Sequence, residues 1–245
     1  MGLFRTTAAY DEALASWQGI ADRPAPENLA RKEGIRVLEN GFLERWLTSA
    51  HWTLPGLWAL PLVAFCLYRA LVLEERTAAA VAGLFLAGML GWTFAEYWLH
   101  RWLFHLPPAR SRTLRAIQFG LHGYHHEFPE DPRRLVAPPI LAVPIASLLA
   151  ALVILAFPGH WPPLLAGTFF GYLCYDWVHY YTHHGRPRTA AGRFLRRFHK
   201  AHHYRCASSQ YGLSSPLWDF VFGSYDGRPE RRSSGGTAEP VTRQR

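Results

Sequence analysis

Long apolar stretches alternate with short blocks of charged residues along this chain. Four of these stretches are candidate membrane spans, judged against the roughly 17 to 25 apolar residues that a helix needs to cross a bilayer. They are Leu54–Leu73, Thr77–Leu99, Val136–Phe157 and Trp161–Tyr175. The pattern predicts an integral membrane protein that is built from helices.

The connections between the stretches are short and arrange them in pairs. LEERT joins the first two, and FPGHWPP, with its turn-forming glycine and prolines, joins the last two. Gly167 and Gly171 form a small-xxx-small pair, which favours close helix packing in a membrane. We therefore predict an all-α fold with four transmembrane helices in two hairpins. Buried helices of a soluble protein are the alternative, and the tryptophans that flank the stretches argue against it.

Lysine and arginine orient the predicted hairpins. Six lie before residue 50, six between His100 and Leu135, and twelve after Tyr181, whereas the hairpin turns hold Arg69 and Arg76 at most. By the positive-inside rule, both termini and the middle segment face the cytoplasm. The membrane would be the inner (plasma) membrane of a bacterium or the endoplasmic reticulum of a eukaryote. The net charge of +8 suits anionic lipid headgroups, and no fold pattern typical of nucleic-acid binding accompanies it.

Charge and hydropathy divide the chain into three parts. Residues 1–50 form an N-terminal cytoplasmic or interfacial segment, residues 51–227 contain the predicted spans, and residues 228–245 (RPERRSSGGTAEPVTRQR) form a tail that is predicted to be disordered. The three cysteines do not form a CxxC pair, which argues against both a disulfide framework and a thiolate zinc site.

Eleven of the thirteen histidines fall into four clusters. The clusters are His100 and His105; His122, His125 and His126; His179, His183 and His184; and His199, His202 and His203. All four lie in segments assigned to the cytoplasmic side. A lone imidazole is more often a surface group or a hydrogen-bonded core residue than a ligand, but four clusters on one side favour a shared metal site.

The spacing within the clusters suits metal binding. Residues three or four apart share one face of a helix, so such pairs can direct two ring nitrogens at one ion. Three of the four clusters contain these spacings. His100 and His105 are five apart, about 140° around an ideal helix, so they need a distorted or ending turn to converge. Pro107 and Pro108 supply a helix end just beyond them.

The number of histidines exceeds the need of one ion. A zinc site takes about four protein ligands, or three with a water molecule. Ten or eleven clustered histidines therefore indicate two metal ions. Imidazole ligands suit zinc, iron, copper and nickel, and the spacing does not choose among them.

The pattern HxxxxH, HxxHH, HxxxHH and HxxHH around four apolar stretches resembles the membrane fatty acid hydroxylase and sterol desaturase superfamily. EYWLHRWLFH, HGYHHEFPEDPRRLVAPP, GYLCYDWVHYYTHH and HKAHHY followed by YGLSSPLWDFVFG are similar to the fatty acid 2-hydroxylases that act on sphingolipid acyl chains. The similarity runs from about Glu39 to Gly223. Histidine spacing alone indicates the superfamily, and the RLVAPP and WDFVFG stretches indicate the narrower family.

This resemblance implies an integral-membrane monooxygenase in which two metal ions activate O2 and one oxygen enters at the alpha carbon of an acyl chain. Residues 51–227 would be the hydroxylase domain, with a histidine-rich dimetal cap on its cytoplasmic side. The implied metal ligands are His100, His105, His122, His125, His126, His179, His183, His199, His202 and His203. His184 is interpreted instead as a residue that supports the ligands or the fold.

The implied reaction narrows the metal and the substrate. Breaking an unactivated C–H bond requires a strong oxidant, which iron with O2 provides and zinc does not, so we favour two irons. An acyl chain would enter between the apolar helices with its carbonyl near the interface, which brings the alpha carbon closest to the metals. The lipid stays open between a free fatty acid and a sphingolipid or ceramide-type lipid.

Two carboxylates accompany the histidines near the ends of predicted spans. Glu96 lies four residues before His100, and Asp176 lies three residues before His179, each on the same helical face. Metal-bound histidines usually donate their second N–H to a carboxylate or carbonyl, so Glu96 and Asp176 are candidate partners of the ligands. The acidic residues of EFPEDPRR are expected to form a solvated turn with the arginines that follow them.

Oxygen insertion also needs electrons. Residues 1–50 are too few for the cytochrome-b5-like domain that many fungal and animal relatives carry, and no dinucleotide-binding fingerprint occurs. We expect a separate electron donor, a ferredoxin or a cytochrome-b5-like protein with a reductase, that is attracted by the basic cytoplasmic face.

Two other functions fit parts of the pattern. An oxygenase or desaturase of the same superfamily could act on a carotenoid, a sterol or another lipid. A membrane metal transporter would also use histidines, but its ligands should lie near the bilayer midplane within broken helices. Clusters on one side of the membrane favour the oxygenase.

Overall fold

The computed structural model describes residues 3–21, 24–29 and 31–227, and these residues are mainly helical. The α-helices within them are α1 (Ala8–Ser16), α2 (Pro26–Leu29), α3 (Gly41–Leu47), α4 (Leu54–Tyr68), α5 (Ala78–Trp98), α6 (Arg112–Gln118), α7 (Tyr124–Glu127), α8 (Pro139–Ala156), α9 (Trp161–His184), α10 (Ala190–Tyr204) and α11 (Leu217–Val221). The described residues contain no β-strand, only an isolated bridge between Thr6 and Leu38. The all-α prediction is confirmed for them, and the predicted disordered tail, 228–245, lies outside the described residues.

Three of the helices continue into a π-helical turn, in which the backbone hydrogen bond spans five residues instead of four. α4 continues as Arg69–Leu73, α5 as Leu99–Phe104 and α6 as Phe119–Gly123. The wider turn changes the angle between successive side chains, so it re-aims the residues at the end of an otherwise regular helix. Two of the three turns contain predicted metal ligands, His100 and His122.

Three helical stretches are long and apolar enough to cross a membrane: Leu54–Leu73, Ala78–Phe104 and Pro139–Ala156. Their apolar side chains largely face outward, and the last of the three has no buried residue. Large contiguous apolar surfaces are rare on soluble monomers, whereas lipid accommodates them. These helices therefore fit a membrane protein, as predicted.

The predicted fourth span is a longer and more polar helix, α9. It continues past the predicted end at Tyr175 to His184, and it is not among the stretches with the apolar composition of a span. It lies within the bundle, where it packs against α4, α5, α8 and α10. Because these helices cover much of α9, its surface does not need to be uniformly apolar. The count of four transmembrane helices stays a prediction.

Glycines allow α9 to approach α5 closely. A methyl group at Gly167 would lie 1.9 Å from the carbonyl oxygen of Phe85, and one at Gly171 would lie 2.9 Å from the side chain of Trp92. Both distances are shorter than a van der Waals contact, so a larger residue would push the helices apart. The small-residue pair in the sequence thus marks a helix contact, as predicted.

The N-terminal segment packs against the part of the chain that contains the second histidine cluster. Tyr10 and Trp17 lie with their ring centroids 5.8 and 5.5 Å from that of Phe119. The Tyr124 hydroxyl donates a hydrogen bond to the carbonyl oxygen of Ile35 at 2.8 Å. Burial of these aromatic side chains holds the segment next to the histidines.

Asp131 differs from the expected solvated turn. Its side chain is buried, accepts a hydrogen bond from Gly34 N at 3.0 Å and lies 3.8 Å from the Arg134 guanidinium. Arg134 also pairs with Glu44, and its Cζ lies 4.5 Å from the ring centroid of Tyr124. These charges tie the N-terminal segment to the histidine-bearing segment. The local sequence could not indicate this, because Gly34 and Glu44 are 97 and 90 residues away from their partners.

Candidate metal centre

Ten of the clustered histidines come together in two groups of five. The first histidine group comprises His100, His105, His122, His126 and His202. The second histidine group comprises His125, His179, His183, His199 and His203. Within each group, one ring nitrogen of every member lies within 4.8 Å of those of the other four. These are the ten residues that the sequence analysis proposes as ligands, and the structure brings all of them together.

Ring nitrogens face one another across short distances in both groups. In the first group, His122 Nε2 lies 3.0 Å from His100 Nε2 and 3.1 Å from His126 Nε2. In the second group, His183 Nε2 and His199 Nε2 are 2.9 Å apart. Two nitrogens that bind one ion at about 2.1 Å and at right angles are about 3 Å apart. The spacing therefore fits imidazole donors arranged around an ion.

Adjacent histidines in the two HxxHH motifs belong to different groups. His125 lies in the second group and His126 in the first, and His202 and His203 are divided in the opposite order. Adjacent residues of a helix point about 100° apart, whereas residues four apart point the same way. The two groups consequently lie side by side, and the stacked rings of His126 and His203 have centroids 4.2 Å apart.

The π-helical turn Leu99–Phe104 brings His100 and His105 together. Residues i and i+5 diverge by about 140° in an α-helix, and a turn whose hydrogen bond spans five residues reduces this angle. The two ring centroids are 4.9 Å apart. The predicted distortion of the helix is therefore present as a π turn, and Pro107 and Pro108 follow its end.

Burial keeps these imidazoles neutral. Loss of solvation lowers the pKa of His202 to about 4. Loss of solvation, with a further contribution from neighbouring imidazoles, also lowers the pKa well below its ordinary value at His122, His125, His126, His199 and His203. A neutral imidazole has the free lone pair that a metal ion needs, so the side chains are ready to bind ions at neutral pH.

The backbone holds the second ring nitrogen of two members of the first group. His100 Nδ1 lies 2.5 Å from the carbonyl oxygen of Tyr211, and His202 Nδ1 lies 2.6 Å from that of Ser209. A carbonyl oxygen can only accept a hydrogen bond, so the proton resides on Nδ1 and leaves Nε2 as the donor to an ion. These contacts fix the tautomer and the ring orientation of both histidines.

Glu96 supports the same backbone segment rather than a histidine. Its carboxylate accepts hydrogen bonds from Leu213 N at 2.6 Å, from Ser214 N at 2.9 Å and from the Ser214 hydroxyl. A direct bond between Glu96 and His100 is what the spacing suggests, but the carbonyl oxygen of Tyr211 takes that place. Glu96 therefore contacts the backbone segment that contains Tyr211, and it does not contact His100 directly.

Asp219 is a candidate that the sequence analysis does not single out. Its buried carboxylate accepts hydrogen bonds from Tyr211 N at 2.8 Å, from Gly212 N at 2.7 Å and from Ser224 Oγ at 2.7 Å. The signal for it is an acidic residue inside the apolar run LWDFVFG, where a charge is costly unless it is hydrogen-bonded. A Cβ at Gly212 would lie 2.2 Å from the carbonyl oxygen of Ser215, so glycine is required there.

Asp176 and His184 lie outside both groups. Asp176 is buried and lines a cavity beside His179, and its Oδ2 atom has no hydrogen-bond partner within the described part of the chain. His184, the last residue of α9, is partly exposed, and its ring centroid lies 5.0 Å from that of Tyr180. Their supporting role stays a prediction.

A cavity of about 230 Å³ adjoins both histidine groups. It is lined by His122 of the first group and by His125 and His179 of the second. Apolar side chains of α8, among them Ile145 and Leu149, form another part of its wall. The histidines thus border a largely apolar space between helices.

An apolar groove between α4 and α8 adjoins this cavity. Leu62 and Val143 line the groove, and Trp58, Ala142 and Ala146 line both the groove and the cavity. Because α4 and α8 are candidate spans, the groove lies on the surface that would face lipid. The groove and the cavity are therefore neighbours, and both lie in the largely apolar region between that surface and the histidines.

The comparison with protein families matches residues 85–224 to the family described as fatty acid hydroxylase. This region contains all ten histidines of the two groups, together with Glu96 and Asp219. Among curated proteins, the chain is similar to a dihydroceramide fatty acyl 2-hydroxylase of Arabidopsis thaliana. The two are 40% identical over 80% of this chain and 81% of that protein.

Fungal and animal proteins and one solved structure are also similar. The ceramide very long chain fatty acid hydroxylase of Saccharomyces cerevisiae is 37% identical over 80% of this chain and 50% of its own, and the fatty acid 2-hydroxylase of Mus musculus is 34% identical over 77% and 56%. The structure of full-length Scs7p, in which only the hydroxylase domain is visible, matches with a TM-score of 0.73 and 31% identity over 92% of each chain. The predicted relationship to the fatty acid 2-hydroxylases is confirmed. The chain belongs to the fatty acid hydroxylase family.

Proposed function

We propose that this protein is a membrane-bound dimetal monooxygenase that hydroxylates the alpha carbon, the 2-position, of a fatty acyl chain. The proposal rests above all on the apolar cavity beside His122, His125 and His179 and on the groove between α4 and α8 that adjoins it. An acyl chain suits this region because its walls are apolar and the groove lies on the surface that would face lipid.

Two iron ions, one in each histidine group, are the proposed cofactor. The buried Nε2 atoms of His105 and His202 have no hydrogen-bond partner among the described residues, which supports a bound ion as their partner. When bound, the irons supply the O2-activating redox chemistry that oxygenation of a C–H bond requires. The ten histidines would hold the ions, and the carbonyl groups of Ser209 and Tyr211 orient two of these histidines, His202 and His100.

The lining of the cavity supports selectivity for the alpha carbon. Apolar side chains of α8 border it within the predicted membrane layer, and Thr48 and Arg134 border it next to the N-terminal segment. An acyl chain that lies along α8 with its carbonyl group toward these polar residues would hold the neighbouring carbon beside His122 and His125. Positioning of this kind selects one carbon of a uniform chain.

The relatives support the identity of the lipid and of the position. Two of them are named dihydroceramide or ceramide hydroxylases, which favours a ceramide-type lipid as the carrier of the acyl chain. The name of the mouse relative specifies the 2-position of a fatty acid. A free fatty acid is the alternative substrate.

The proposed topology has four spans, with α9 as the fourth, and places both termini and the histidine groups in the cytoplasm. Residues 51–227 form the hydroxylase domain, and residues 1–50 form a cytoplasmic or interfacial segment that packs on it. The distribution of lysine and arginine supports this orientation. The protein would reside in the inner (plasma) membrane of a bacterium or in the endoplasmic reticulum of a eukaryote.

Electrons would come from a separate ferredoxin or cytochrome-b5-like protein with its reductase. The exposed arginines of α10 and of the loop before it support the docking of an acidic donor there. They are Arg186, Arg188, Arg193 and Arg197. The buried side of α10 contains His199, His202 and His203, so a donor on the exposed side would lie about one helix diameter from both groups.

Expression in yeast cells that lack their own 2-hydroxylase tests the proposal, with His125→Ala as the control and growth with and without oxygen. Mass spectrometry of the acyl chains detects one added oxygen and its position. We expect 2-hydroxy acyl chains only from the unaltered protein and only with oxygen. A mid-chain hydroxyl, a double bond or an oxidised sterol would instead indicate another reaction of the superfamily, and no product from iron-loaded protein with a reductase system would favour metal transport.

A further inference from the structure

Two buried carboxylates hold the irregular segment Ser209–Ser214 between α10 and α11. Asp219 accepts two backbone N–H groups of this segment, at 2.8 and 2.7 Å, and Glu96 accepts the next two, at 2.6 and 2.9 Å. The four donors are the successive amides of Tyr211, Gly212, Leu213 and Ser214. We call Ser209–Ser214 the clamped segment, because its peptide planes have little freedom to rotate.

Gln210 turns the clamped segment sharply. Its φ of 60° lies in the left-handed region, which residues other than glycine rarely adopt. The Gln210 amide donates to the carbonyl oxygen of Ser224 at 2.9 Å, and this bond helps to hold the conformation. The turn leaves the carbonyl groups of Ser209 and Tyr211 directed at histidine side chains.

The clamped segment accepts hydrogen bonds from His100 and His202 of the first histidine group, and the ring of Tyr211 also packs against His105, with centroids 5.4 Å apart. Among the described residues, it makes no hydrogen bond to the second group. The carbonyl oxygens of Tyr211 and Ser209 accept from the Nδ1 atoms of His100 and His202. In the second group, the Nδ1 atoms of all five histidines are buried and have no hydrogen-bond partner in the described part of the chain. The two groups therefore have the same number of histidines but different hydrogen-bond partners at Nδ1.

This difference affects how strongly each group binds an ion. A hydrogen bond from Nδ1–H to an acceptor makes Nε2 a better electron donor and holds the ring in place, and loss of such a partner typically weakens metal binding 10- to 100-fold. The carboxylates of Glu96 and Asp219 hold the peptide groups that provide the acceptors. Charge-assisted hydrogen bonds of this kind are stronger than bonds between neutral groups.

We propose that the clamped segment makes the two metal positions unequal, so that the first histidine group holds its ion more tightly than the second. Glu96 and Asp219 are the positioning residues that set this difference. The inference rests on the dimetal site of the proposed function, and it extends that function by assigning an order of affinity to the two ions.

Release of zinc from Zn²⁺-loaded protein in detergent tests the inference, because zinc binds imidazole and is redox-silent. The protein is mixed with the colour-forming chelator 4-(2-pyridylazo)resorcinol, and zinc transfer is followed over time. We expect two phases of about one ion each, one fast and one slow. His183→Ala, which removes a ligand from the second group, should speed or abolish the fast phase and leave the slow phase unchanged.

In Asp219→Asn and Glu96→Gln, the slow phase should become about 10- to 100-fold faster while the fast phase keeps its rate. Asp131→Asn is the matched control. Asp131 is also buried and accepts a backbone N–H, but its partner Gly34 belongs to the N-terminal segment. Both release phases should be unchanged in this control.

Ser214→Ala keeps the test decisive if Glu96→Gln or Asp219→Asn does not fold. It removes only the hydroxyl that donates to Glu96, and a smaller acceleration of the slow phase alone is expected. Circular dichroism and thermal melting of each variant report on folding. If Ser214→Ala folds and its slow phase has the same rate as in the unaltered protein, the inference is overturned.

Three further results would overturn the inference: a single release phase in the unaltered protein, equal acceleration of both phases in Asp219→Asn, or an unchanged slow phase in that variant. Zinc release is measured without O2 or lipid. A failure of hydroxylation would therefore leave this result intact, and a hydroxylating enzyme with a single release phase would refute only the inequality of the two positions.

Discussion

At the scale of single residues, an adjacent pair of histidines contributes one ring to each of the two histidine groups from a single turn of a helix. His125 and His126 do so on one helix, and His202 and His203 do so on another. Each pair therefore fixes the distance between the two positions, since both rings extend from neighbouring backbone atoms. The stacked rings of His126 and His203 place the two histidine groups in direct contact. Each of these two adjacent pairs consequently belongs to both groups at once.

His183 and His184 are also adjacent, but only His183 belongs to a group. His183→Ala should lower the metal content after dialysis against a chelator from two ions per chain toward one, because the second group loses a ligand. His184→Ala should retain two. Elemental analysis by mass spectrometry measures both variants, and equal losses would contradict the assignment of ligands.

The four histidine clusters were predictable from their spacing, because an ion requires side chains on a common face, and the resemblance to the fatty acid 2-hydroxylases implied the ten candidate ligands. The hydrogen-bond partners of these histidines were not predictable. Ser209 and Tyr211 contribute backbone carbonyl groups, which any residue type provides, so the sequence contains no sign of them. The sequence indicated Glu96 as a carboxylate near the end of a predicted span and close to His100, but this carboxylate accepts a hydrogen bond from Leu213 N, at a sequence separation of 117.

At the scale of elements, the π-helical turn Leu99–Phe104 joins a membrane span to the metal site. It allows α5 to keep regular α-helical hydrogen bonds within the predicted membrane layer and still present His100 and His105 on one side. π-helical turns often occur at functional sites, and this one lies at a candidate site.

An alanine inserted after Leu103 should misdirect His105, because the additional residue rotates it away from His100. We expect loss of metal from the first group only, with the helix content unchanged by circular dichroism. An alanine inserted after Arg110, in the connection between α5 and α6, is the control and should retain both ions. Full metal content in the first variant would show that His105 is not a ligand.

The contact between α5 and α9 depends on glycine. Gly167→Ala should destabilise the protein by about 1 to 3 kcal/mol, since the new methyl group would lie 1.9 Å from the carbonyl oxygen of Phe85 and the helices must separate. Gly91→Ala on α5 is the control, because no atom lies within 4 Å of its Cβ position. Thermal unfolding in detergent should show a lower melting temperature for the first variant only.

Each of the four apolar stretches forms a helix, so the sequence predicted the main elements. It misjudged α9, whose helix extends beyond Tyr175 to His184. Hydropathy measures composition and does not show which faces the neighbouring helices will cover. The contacts that hold the N-terminal segment, such as that of Tyr10 with Phe119, were also invisible, because they join distant parts of the chain.

At the scale of the whole molecule, the surface around α10 differs from that of the candidate membrane spans. Large apolar side chains are exposed on α4, α5 and α8, whereas none is exposed in residues 178–216, which contain α10 and its arginines. A surface that inserts into a membrane interface combines basic residues with exposed aromatic or aliphatic ones. The surface of α10 therefore fits a soluble acidic partner better than a lipid layer.

Electron transfer from an acidic ferredoxin should slow steeply with salt, because an increase from about 0.1 to about 1 M shortens the Debye length from about 10 to about 3 Å. Arg197→Glu should slow the transfer at low salt and weaken its salt dependence. Arg110→Glu, with the same change of net charge in the connection between α5 and α6, should have a smaller effect. Anaerobic stopped-flow reduction measures these rates, and salt-independent rates would contradict docking at the basic surface.

Labelling with ¹⁸O2 tests the central claim, oxygen insertion at the alpha carbon, most directly. The purified iron-loaded protein would receive a ceramide-type lipid, ferredoxin and its reductase under ¹⁸O2, and mass spectrometry would locate the label in the released acyl chains. We predict one ¹⁸O atom at carbon 2, with no product from His125→Ala. A label mainly at other carbons, or a 2-hydroxyl group whose oxygen comes from water, would contradict the account.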